Sequence, residues 1–226
     1  FFLCLSAALY GLALIFSATR YEETLHGLVG KQAVALGGGV VLCLLLSVLD
    51  VRKLLEKLWW LLPVVNVGLL LLLVPLGNDD GTGNKSWISL PGGGFNLQPA
   101  EVVKISFLLL LALQLRKLGE KGLNRPKAVF LLLLHVLALC ALLYGVSGDI
   151  GMVAVYLAVY LVMLWSAGVH PLWLLGEVAA GVGAVVLLWP RLPEYVRMRF
   201  LVVFDHGLDP LGKGFQQERS LLADRK

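Results

Sequence analysis

Long apolar blocks separated by short polar stretches dominate the chain. Seven blocks approach the length of about 20 mostly apolar residues that a membrane-spanning helix needs. They cover residues 1–18, 32–49, 58–76, 99–115, 127–146, 149–167 and 171–189. Runs such as Leu69 to Leu73 do not alternate between polar and apolar positions, so a β-barrel is not predicted. The pattern predicts an all-α, polytopic integral membrane helical bundle of about seven transmembrane helices over residues 1–189, followed by an extracytoplasmic loop region at 190–226.

The composition agrees with this class. Of 226 residues, 58% are apolar and 15% are charged, against about 45–50% and about 25% in soluble domains. A secreted disulfide scaffold, a nucleic-acid-binding module and a disordered chain are therefore excluded. Cys4, Cys43 and Cys140 stand alone within apolar blocks, and we interpret them as small buried hydrophobes. Because the chain opens on an apolar block without Met and stops in a charged stretch, we expect a piece of a longer protein.

Basic residues in the loops predict the orientation in the membrane. The loops after the first and third blocks hold three, namely Arg20, Lys31 and Lys85. The loops after the second and fourth blocks hold eight, namely Arg52, Lys53, Lys57, Arg116, Lys117, Lys121, Arg125 and Lys127. We therefore expect the second pair of loops in the cytoplasm. The segment after the seventh block, which carries seven basic residues of its own, is then expected outside.

Ionisable residues within apolar blocks are candidates for function because a bilayer makes them costly. Glu101 and Lys104 are three residues apart, which puts them on one face of a helix. They are either an ion pair that fixes packing or groups that contact a substrate. For Glu177, in the seventh block, and Asp149, at the start of the sixth, packing and helix capping are the favoured interpretations.

Small and helix-disrupting residues inside two of the blocks suggest local structure. Pro63 and Asn66 in the third block suggest a kink with local repair. The run Gly37-Gly38-Gly39 in the second block is interpreted as a site of close helix packing.

Two polar segments carry further candidate chemistry. The glycine-rich loop from Gly77 to Leu97 contains Trp87, which either belongs to the aromatic belt at the membrane interface or supports a site. The tail carries Asp205 and Asp209 in a turn-rich segment near Arg199, Lys213 and Arg219. A carboxylate held among cations can act as a base while the cations hold a phosphate. A solvated surface loop is the equal alternative.

Motifs in these segments resemble the SEDS family (shape, elongation, division and sporulation), the RodA/FtsW/SpoVE-type peptidoglycan glycosyltransferases. Trp87-Ile88 followed by Gln98-Pro99-Ala100-Glu101 and Lys104 is similar to the family's RWI…QPSE..K motif. Asp149-Ile150-Gly151 resembles the PDLG turn, with Gly148 in place of the proline, and Tyr195 with Arg199 resembles YR..R. Residues 209–216 (DPLGKGFQ) and 220–223 (SLLA) resemble DP.G.GYQ and SL.A. The resemblance covers nearly the whole chain and implies about three further spans after Lys226.

The resemblance implies polymerisation of lipid II into glycan strands, with inversion at the donor sugar, at the outer face of the bacterial cytoplasmic (inner) membrane. Transferred motif by motif, it assigns Asp209 as the catalytic general base, with Asp205 as a competitor for that role. It assigns Glu101 and Lys104 to the adjoining cavity and Trp87 to the support of the outer loop. The residues implied to hold the substrate's diphosphate are Arg199, Arg197 and Lys213.

The same resemblance implies a class B penicillin-binding protein as partner, and no nucleic acid. A divalent cation, Mg²⁺ or Mn²⁺, is left open as an aid at the diphosphate, although no ligand cluster in the sequence demands a metal. Two alternatives remain from the residues: a flippase or transporter of lipid-linked precursors, and a non-catalytic membrane scaffold for cell-wall enzymes. The sequence does not distinguish a role in elongation, division or sporulation.

Overall fold

The computed structural model describes residues 1–19, 26–78, 84–89, 95–191 and 194–204. The described chain is almost entirely helical, with one short antiparallel sheet in which Ile88 pairs with Leu97 and Ser89 with Asn96. In chain order the elements are α1 (Phe2–Thr19), α2 (His26–Val48), α3 (Val51–Leu58), α4 (Leu61–Leu71), α5 (Leu73–Leu76), β1 (Ile88–Ser89), β2 (Asn96–Leu97), α6 (Pro99–Gly119), α7 (Pro126–Ser147), α8 (Ile150–Ser166), α9 (Pro171–Leu188), a 3-10 turn (Trp189–Arg191) and α10 (Glu194–Phe204).

Two compact units make up the chain. The first contains residues 1–114 and 137–149, and its core includes Leu70, Leu73 and Phe107, which are fully buried. The second contains residues 115–136 and 150–226, and in its described part Tyr156 and Leu164 of α8 are fully buried. Each core is built from the inward faces of otherwise apolar helices, as expected where the remaining surface meets lipid.

The predicted membrane-spanning class is confirmed, whereas the count of seven spans is not. Within the described residues, four helices are long and apolar enough to cross a bilayer: Phe2–Thr19, Gly27–Val48, Pro126–Ser147 and Pro171–Arg191. A fifth is reached if the bent pair Arg52–Leu58 and Leu61–Leu76 is one span. Of the other two predicted spans, α8 is apolar but only 17 residues long, and α6 carries charged residues in its first and last turns.

The third predicted span, 58–76, is broken where the sequence suggested a kink. Helix α3 ends at Leu58, α4 begins at Leu61, and the two helical segments meet at an angle of 78°. Pro63 explains the position of the break, because a proline ring clashes with the carbonyl four residues earlier, here that of Trp59. The span predicted from residue 58 therefore starts too early, because Trp59 and Trp60 lie between the two helices.

Two expectations for α1 and α2 are wrong. A β-carbon added at Gly37, Gly38 or Gly39 would meet no described atom within 4 Å, so this run does not serve close packing among the described residues. The reason is that the α2 surface is almost wholly exposed. Cys4 and Cys43 are likewise exposed free thiols, and only Cys140 is buried as expected.

Candidate functional site

Backbone hydrogen bonds hold the loop between α5 and α6 in place where it leaves α5 and again at Trp87. It leaves α5 at Gly77, whose N–H donates to the carbonyl of Leu73 over 2.9 Å. A β-carbon at Gly77 would collide with that same carbonyl, so the departure from the helix requires glycine. The backbone N–H of Asn78 then donates to the carbonyl of Trp87 over 2.8 Å. The half-buried Trp87 is thereby fixed at the start of the small sheet.

A cluster of polar side chains, here called the loop cluster, ties this loop to the turn between α7 and α8. Its buried members are Asn84, Ser86 and Ser147, with exposed fractions of 7%, 5% and 3%. The Ser86 hydroxyl donates to Oδ2 of Asp149 over 3.2 Å, across 63 residues of sequence. Next to it, the N–H of Lys85 donates to the carbonyl of Ser147 over 3.1 Å. Two segments that carry motifs of the resemblance, around Trp87 and around Asp149, are thus bonded to each other.

The turn that receives the loop depends on a glycine. Gly148 has φ of 69°, in the left-handed region that side-chain-bearing residues rarely adopt. A proline, whose φ is fixed near −65°, is incompatible with this backbone. The N–H of Gly148 donates to the carbonyl of Tyr144 over 2.8 Å, and the next N–H, of Asp149, donates to Oγ of Ser147 over 3.2 Å. The departure from the PDLG pattern therefore changes the turn itself. Asp149 directly precedes α8, as expected for a capping position.

Glu101 and Lys104 lie in the first turns of α6, and the structure brings them together as predicted. Nζ of Lys104 lies 2.9 Å from Oε1 and 2.8 Å from Oε2 of Glu101, so both carboxylate oxygens are engaged. The Glu101 side chain is 54% exposed and the Lys104 side chain is 21% exposed. The carboxylate side of the pair is therefore the more open one. This arrangement can present one anionic and one cationic group to a ligand.

Helix α6 is tied to α4 through a different face from the one that carries these charges. The hydroxyl of Ser106 hydrogen-bonds to the carboxamide of Asn66, which is 2% exposed. The bond that the structure describes for Asn66 is therefore made to a side chain of another helix and not to a backbone group freed at Pro63, so it is not the local repair that the sequence suggested. The position of α6, and of Glu101 and Lys104 with it, is set partly by this bond.

In the second unit, Glu177 is tied to α8. The hydroxyl of Tyr160, itself 1% exposed, donates to Oε1 of Glu177 over 3.2 Å. The other oxygen, Oε2, is buried and has no hydrogen-bond partner among the described residues. The packing interpretation of Glu177 therefore gains a specific contact between α8 and α9.

The tail begins with the helix α10, within the region that was expected to be a loop. Arg197 and Arg199 both belong to this helix, and only the backbone of Arg199 is described. Nε of Arg197 is buried without a hydrogen-bond partner among the described residues. A guanidinium N–H in that state carries a desolvation cost that a bound anion would offset. Asp205, Asp209 and Lys213 lie outside the described residues, and their roles remain predictions.

No trio of His, Cys, Asp or Glu in the described ranges is placed to hold a metal ion. Sequence reasoning missed three polar contributors, Asn84, Ser86 and Ser106. Ser and Asn in a glycine-rich loop or an apolar helix leave no periodic signal. Their partners lie 40 or more residues away in the two cases whose bonds are described.

These features define a polytopic membrane protein. Several of its helices are long and apolar enough to cross a bilayer, and its polar chemistry is gathered at helix ends. The polar groups are the charged pair at the start of α6 and the loop that is hydrogen-bonded to the turn before α8. Residues 1–225 match the model of the FtsW/RodA/SpoVE family, described as "Cell cycle protein". The chain therefore belongs to the FtsW/RodA/SpoVE family, as the sequence motifs predicted.

Curated relatives carry consistent names. The chain is 36% identical over 159 residues to the "Probable peptidoglycan glycosyltransferase FtsW" of Halorhodospira halophila, covering 69% of this chain and 38% of that protein. It is 30% identical over 230 residues to the protein of the same name from Alcanivorax borkumensis, covering 96% of this chain and 57% of that protein. The chain thus spans less than two thirds of the length of either relative.

Solved structures share the fold. One belongs to a study described as "Structural coordination of polymerization and crosslinking by a peptidoglycan synthase complex", with a TM-score of 0.73 and 30% identity over 96% of this chain and 61% of that one. Another is the crystal structure of the rod shape determining protein RodA of Thermus thermophilus, with a TM-score of 0.62 and 26% identity over 81% of this chain and 56% of that one.

Proposed function

We propose that the whole protein to which this chain belongs is an inverting peptidoglycan glycosyltransferase, which polymerises lipid II into glycan strands at the outer face of the bacterial cytoplasmic membrane. The observation that carries the proposal is the family match over residues 1–225. The names of the relatives, probable peptidoglycan glycosyltransferases, support the same activity. The membrane setting suits a substrate whose polyprenyl tail stays in the bilayer while its head group reacts at the surface.

The reaction needs a group that takes the proton from the acceptor hydroxyl and cations that stabilise the departing diphosphate. We assign the first role to Asp209, by its place in the DPLGKGFQ motif. Arg197, Arg199 and Lys213 supply the cations. The Nε of Arg197 is buried and has no hydrogen-bond partner among the described residues, which supports this role because a bound phosphate would offset the desolvation cost of that N–H group.

Glu101, Lys104 and Trp87 are assigned to the walls of the substrate cavity. The position of the pair in the first turns of α6 and the 54% exposure of the Glu101 side chain support a contact with the polar head group. The loop cluster supports a fixed position for Trp87.

We propose a crosslinking enzyme, a class B penicillin-binding protein, as the partner. The similar chain from a complex described as coordinating polymerization and crosslinking supports it. The polymer made by the proposed activity is the natural substrate of such a partner.

The decisive experiment compares two carboxylates four residues apart in the full-length protein. Purified protein is reconstituted in liposomes with fluorescent lipid II, and glycan strands are resolved by gel electrophoresis. Asp209→Asn should reduce the polymerisation rate by about 100-fold or more, the usual size of a lost general base. Asp205→Asn is the matched control and should stay within a few-fold of the parent protein.

Other outcomes would overturn the assignment. If Asp209→Asn polymerises lipid II at the parent rate, the base is elsewhere. If the parent protein moves lipid II across the membrane and forms no polymer, the flippase alternative is correct. If Asp209→Asn supports growth of a depleted strain as well as the parent does, the scaffold alternative is favoured.

A further inference from the structure

The short helix α3 is strongly amphipathic. Its sequence, VRKLLEKL, places charged residues at positions 52, 53, 56 and 57 and apolar residues at 51, 54, 55 and 58. This spacing produces one charged and one apolar face over two helical turns. Four charges in eight residues cannot lie in the hydrocarbon core at an acceptable cost. Leu54 nevertheless remains 48% exposed, so the described residues leave this part of the apolar face uncovered.

The geometry at the end of α3 relates it to the bilayer. The helix meets the apolar segment 61–76 at 78°, so α3 runs nearly parallel to the membrane surface if that segment crosses the membrane. Trp59 and Trp60 fill the corner and are 46% and 56% exposed. Tryptophan prefers the boundary between head groups and acyl chains. The segment 61–76 is only about 24 Å long as a helix, which is short against a hydrocarbon thickness of about 30 Å.

The charged face suits a layer of lipid head groups. Arg52 pairs with Glu56 at 3.4 Å, and Lys53 pairs with Asp50 at 3.0 Å. The two basic side chains are 77% and 84% exposed, and such exposed pairs contribute little stability. Each cation can therefore exchange its carboxylate for a lipid phosphate. Lys57 adds a third exposed cation on the same face.

From these three features we propose that α3 with Trp59 and Trp60 is an interfacial anchor whose binding partner is the phospholipid surface, on the side that the loop charges assign to the cytoplasm. The apolar face enters the boundary between head groups and acyl chains, and the charged face contacts the phosphates. The anchor sets the depth of the short span that follows. Through Asn66 and Ser106 it thereby influences the depth of α6.

Site-directed spin labelling of the full-length protein tests this directly. Cys4 and Cys43 are replaced by Ser and Cys140 by Ala, single cysteines are placed at each position from 51 to 58, and the protein is reconstituted in phosphatidylethanolamine–phosphatidylglycerol vesicles. Relaxation by oxygen and by a water-soluble nickel chelate is measured at each label. Labels at 51, 54, 55 and 58 should lie about 5–10 Å below the phosphates, and those at 52, 53, 56 and 57 should face water.

A pair of substitutions guards against a trivial result. Leu54→Asp should shift the label at position 58 out of the lipid, whereas Leu54→Met should leave its depth unchanged. Three results would overturn the proposal. They are equal exposure of all eight labels to water, a steady increase of depth from 51 to 58, and an apolar face shielded from both reagents, which would mean that protein covers it.

Discussion

Two glutamates on apolar helices look alike in the sequence but are held differently. Both carboxylate oxygens of Glu101 accept hydrogen bonds from Lys104, three residues further along the same helix, and the Glu101 side chain is 54% exposed. Glu177 receives one hydrogen bond from Tyr160 of a different helix, and its second oxygen is buried and unpartnered among the described residues. The first contact is local to α6, whereas the second joins α8 to α9.

The difference separates two reasons for placing a carboxylate in a membrane helix. A pair at spacing i,i+3 within one helix contributes only about 0.2–0.5 kcal/mol, so packing gives little reason for Glu101 and Lys104 to be there. A bond between two helices fixes their mutual position, and that reason suffices for Glu177. We therefore expect the α6 pair to contact substrate, as proposed above, and the Glu177 contact to serve packing.

Among the residues that hold the two glutamates, Lys104 should have the largest effect on activity when it is replaced. Lys104→Met should lower the lipid II polymerisation rate of the full-length protein by about 10-fold to 100-fold, the size expected when a hydrogen bond from a charged cavity residue to the substrate is lost. Its thermal stability should hardly change, because the local pair contributes little. The rate is measured in liposomes and the stability by thermal unfolding of the same preparation.

The double variant Glu101→Gln/Lys104→Met is the control for an uncompensated charge. If the loss of rate comes only from leaving Glu101 unpaired, neutralising both residues should restore it. We expect no recovery. A rate that returned to the parent level would assign the pair to packing and remove the contrast with Glu177.

Breaking the hydrogen bond between Tyr160 and Glu177 should have a smaller effect, and on stability instead of activity. Tyr160→Phe leaves Oε1 of Glu177 without its described donor, and an unmade buried hydrogen bond costs about 1–3 kcal/mol. The free energy of unfolding should fall by that order, whereas the polymerisation rate per folded molecule should be unchanged. Steric trapping in bicelles measures the first quantity and the liposome assay measures the second.

Glu177→Gln sharpens this result, since the amide can still accept the hydrogen bond of Tyr160 and removes the carboxylate charge. We expect its stability to equal or exceed that of the parent protein. A polymerisation rate that fell with either substitution while stability held would give Glu177 a functional role.

The sequence predicted the helical elements well because apolar blocks of fixed length are the strongest signal a membrane protein carries. It also predicted the Glu101–Lys104 contact, because the spacing within one helix determines it. It did not predict that Ser86 bonds to Asp149 or Asn66 to Ser106, since contacts over such separations depend on how the helices pack. Pro63 predicts the break in the third block, but the sequence pattern predicts a loop where the structure has the separate helix α3, because its eight residues fall below the length of a span.

The smallest expected effect is on the local stability of α3 and involves Asp50 and Lys53. This pair has the same spacing, an acid followed three residues later by lysine, as the pair on α6, but it lies at the exposed start of α3. The carboxylate accepts from the backbone N–H of Lys53 over 3.2 Å and pairs with its ammonium at 3.0 Å. The hydrogen bond from the Lys53 side chain, followed by that from its backbone, lowers the pKa of Asp50 below the usual 3.8. A lowered pKa means that this contribution to α3 is fully present above the pKa of the unfolded chain and is lost as the pH falls through the lower folded value.

Amide hydrogen exchange of α3 between pH 5 and pH 2, corrected for the intrinsic rates, measures this effect. Protection of the Lys53 amide should decrease only below about pH 4, the ordinary range of an aspartate. Asp50→Asn keeps the capping oxygen and should remove most of that pH dependence, whereas Lys53→Gln should change protection at neutral pH only slightly. If Lys53→Gln instead unfolded α3, a local acid–lysine pair would be worth more as structure than the comparison assumes, and the functional argument for Glu101 and Lys104 would weaken accordingly.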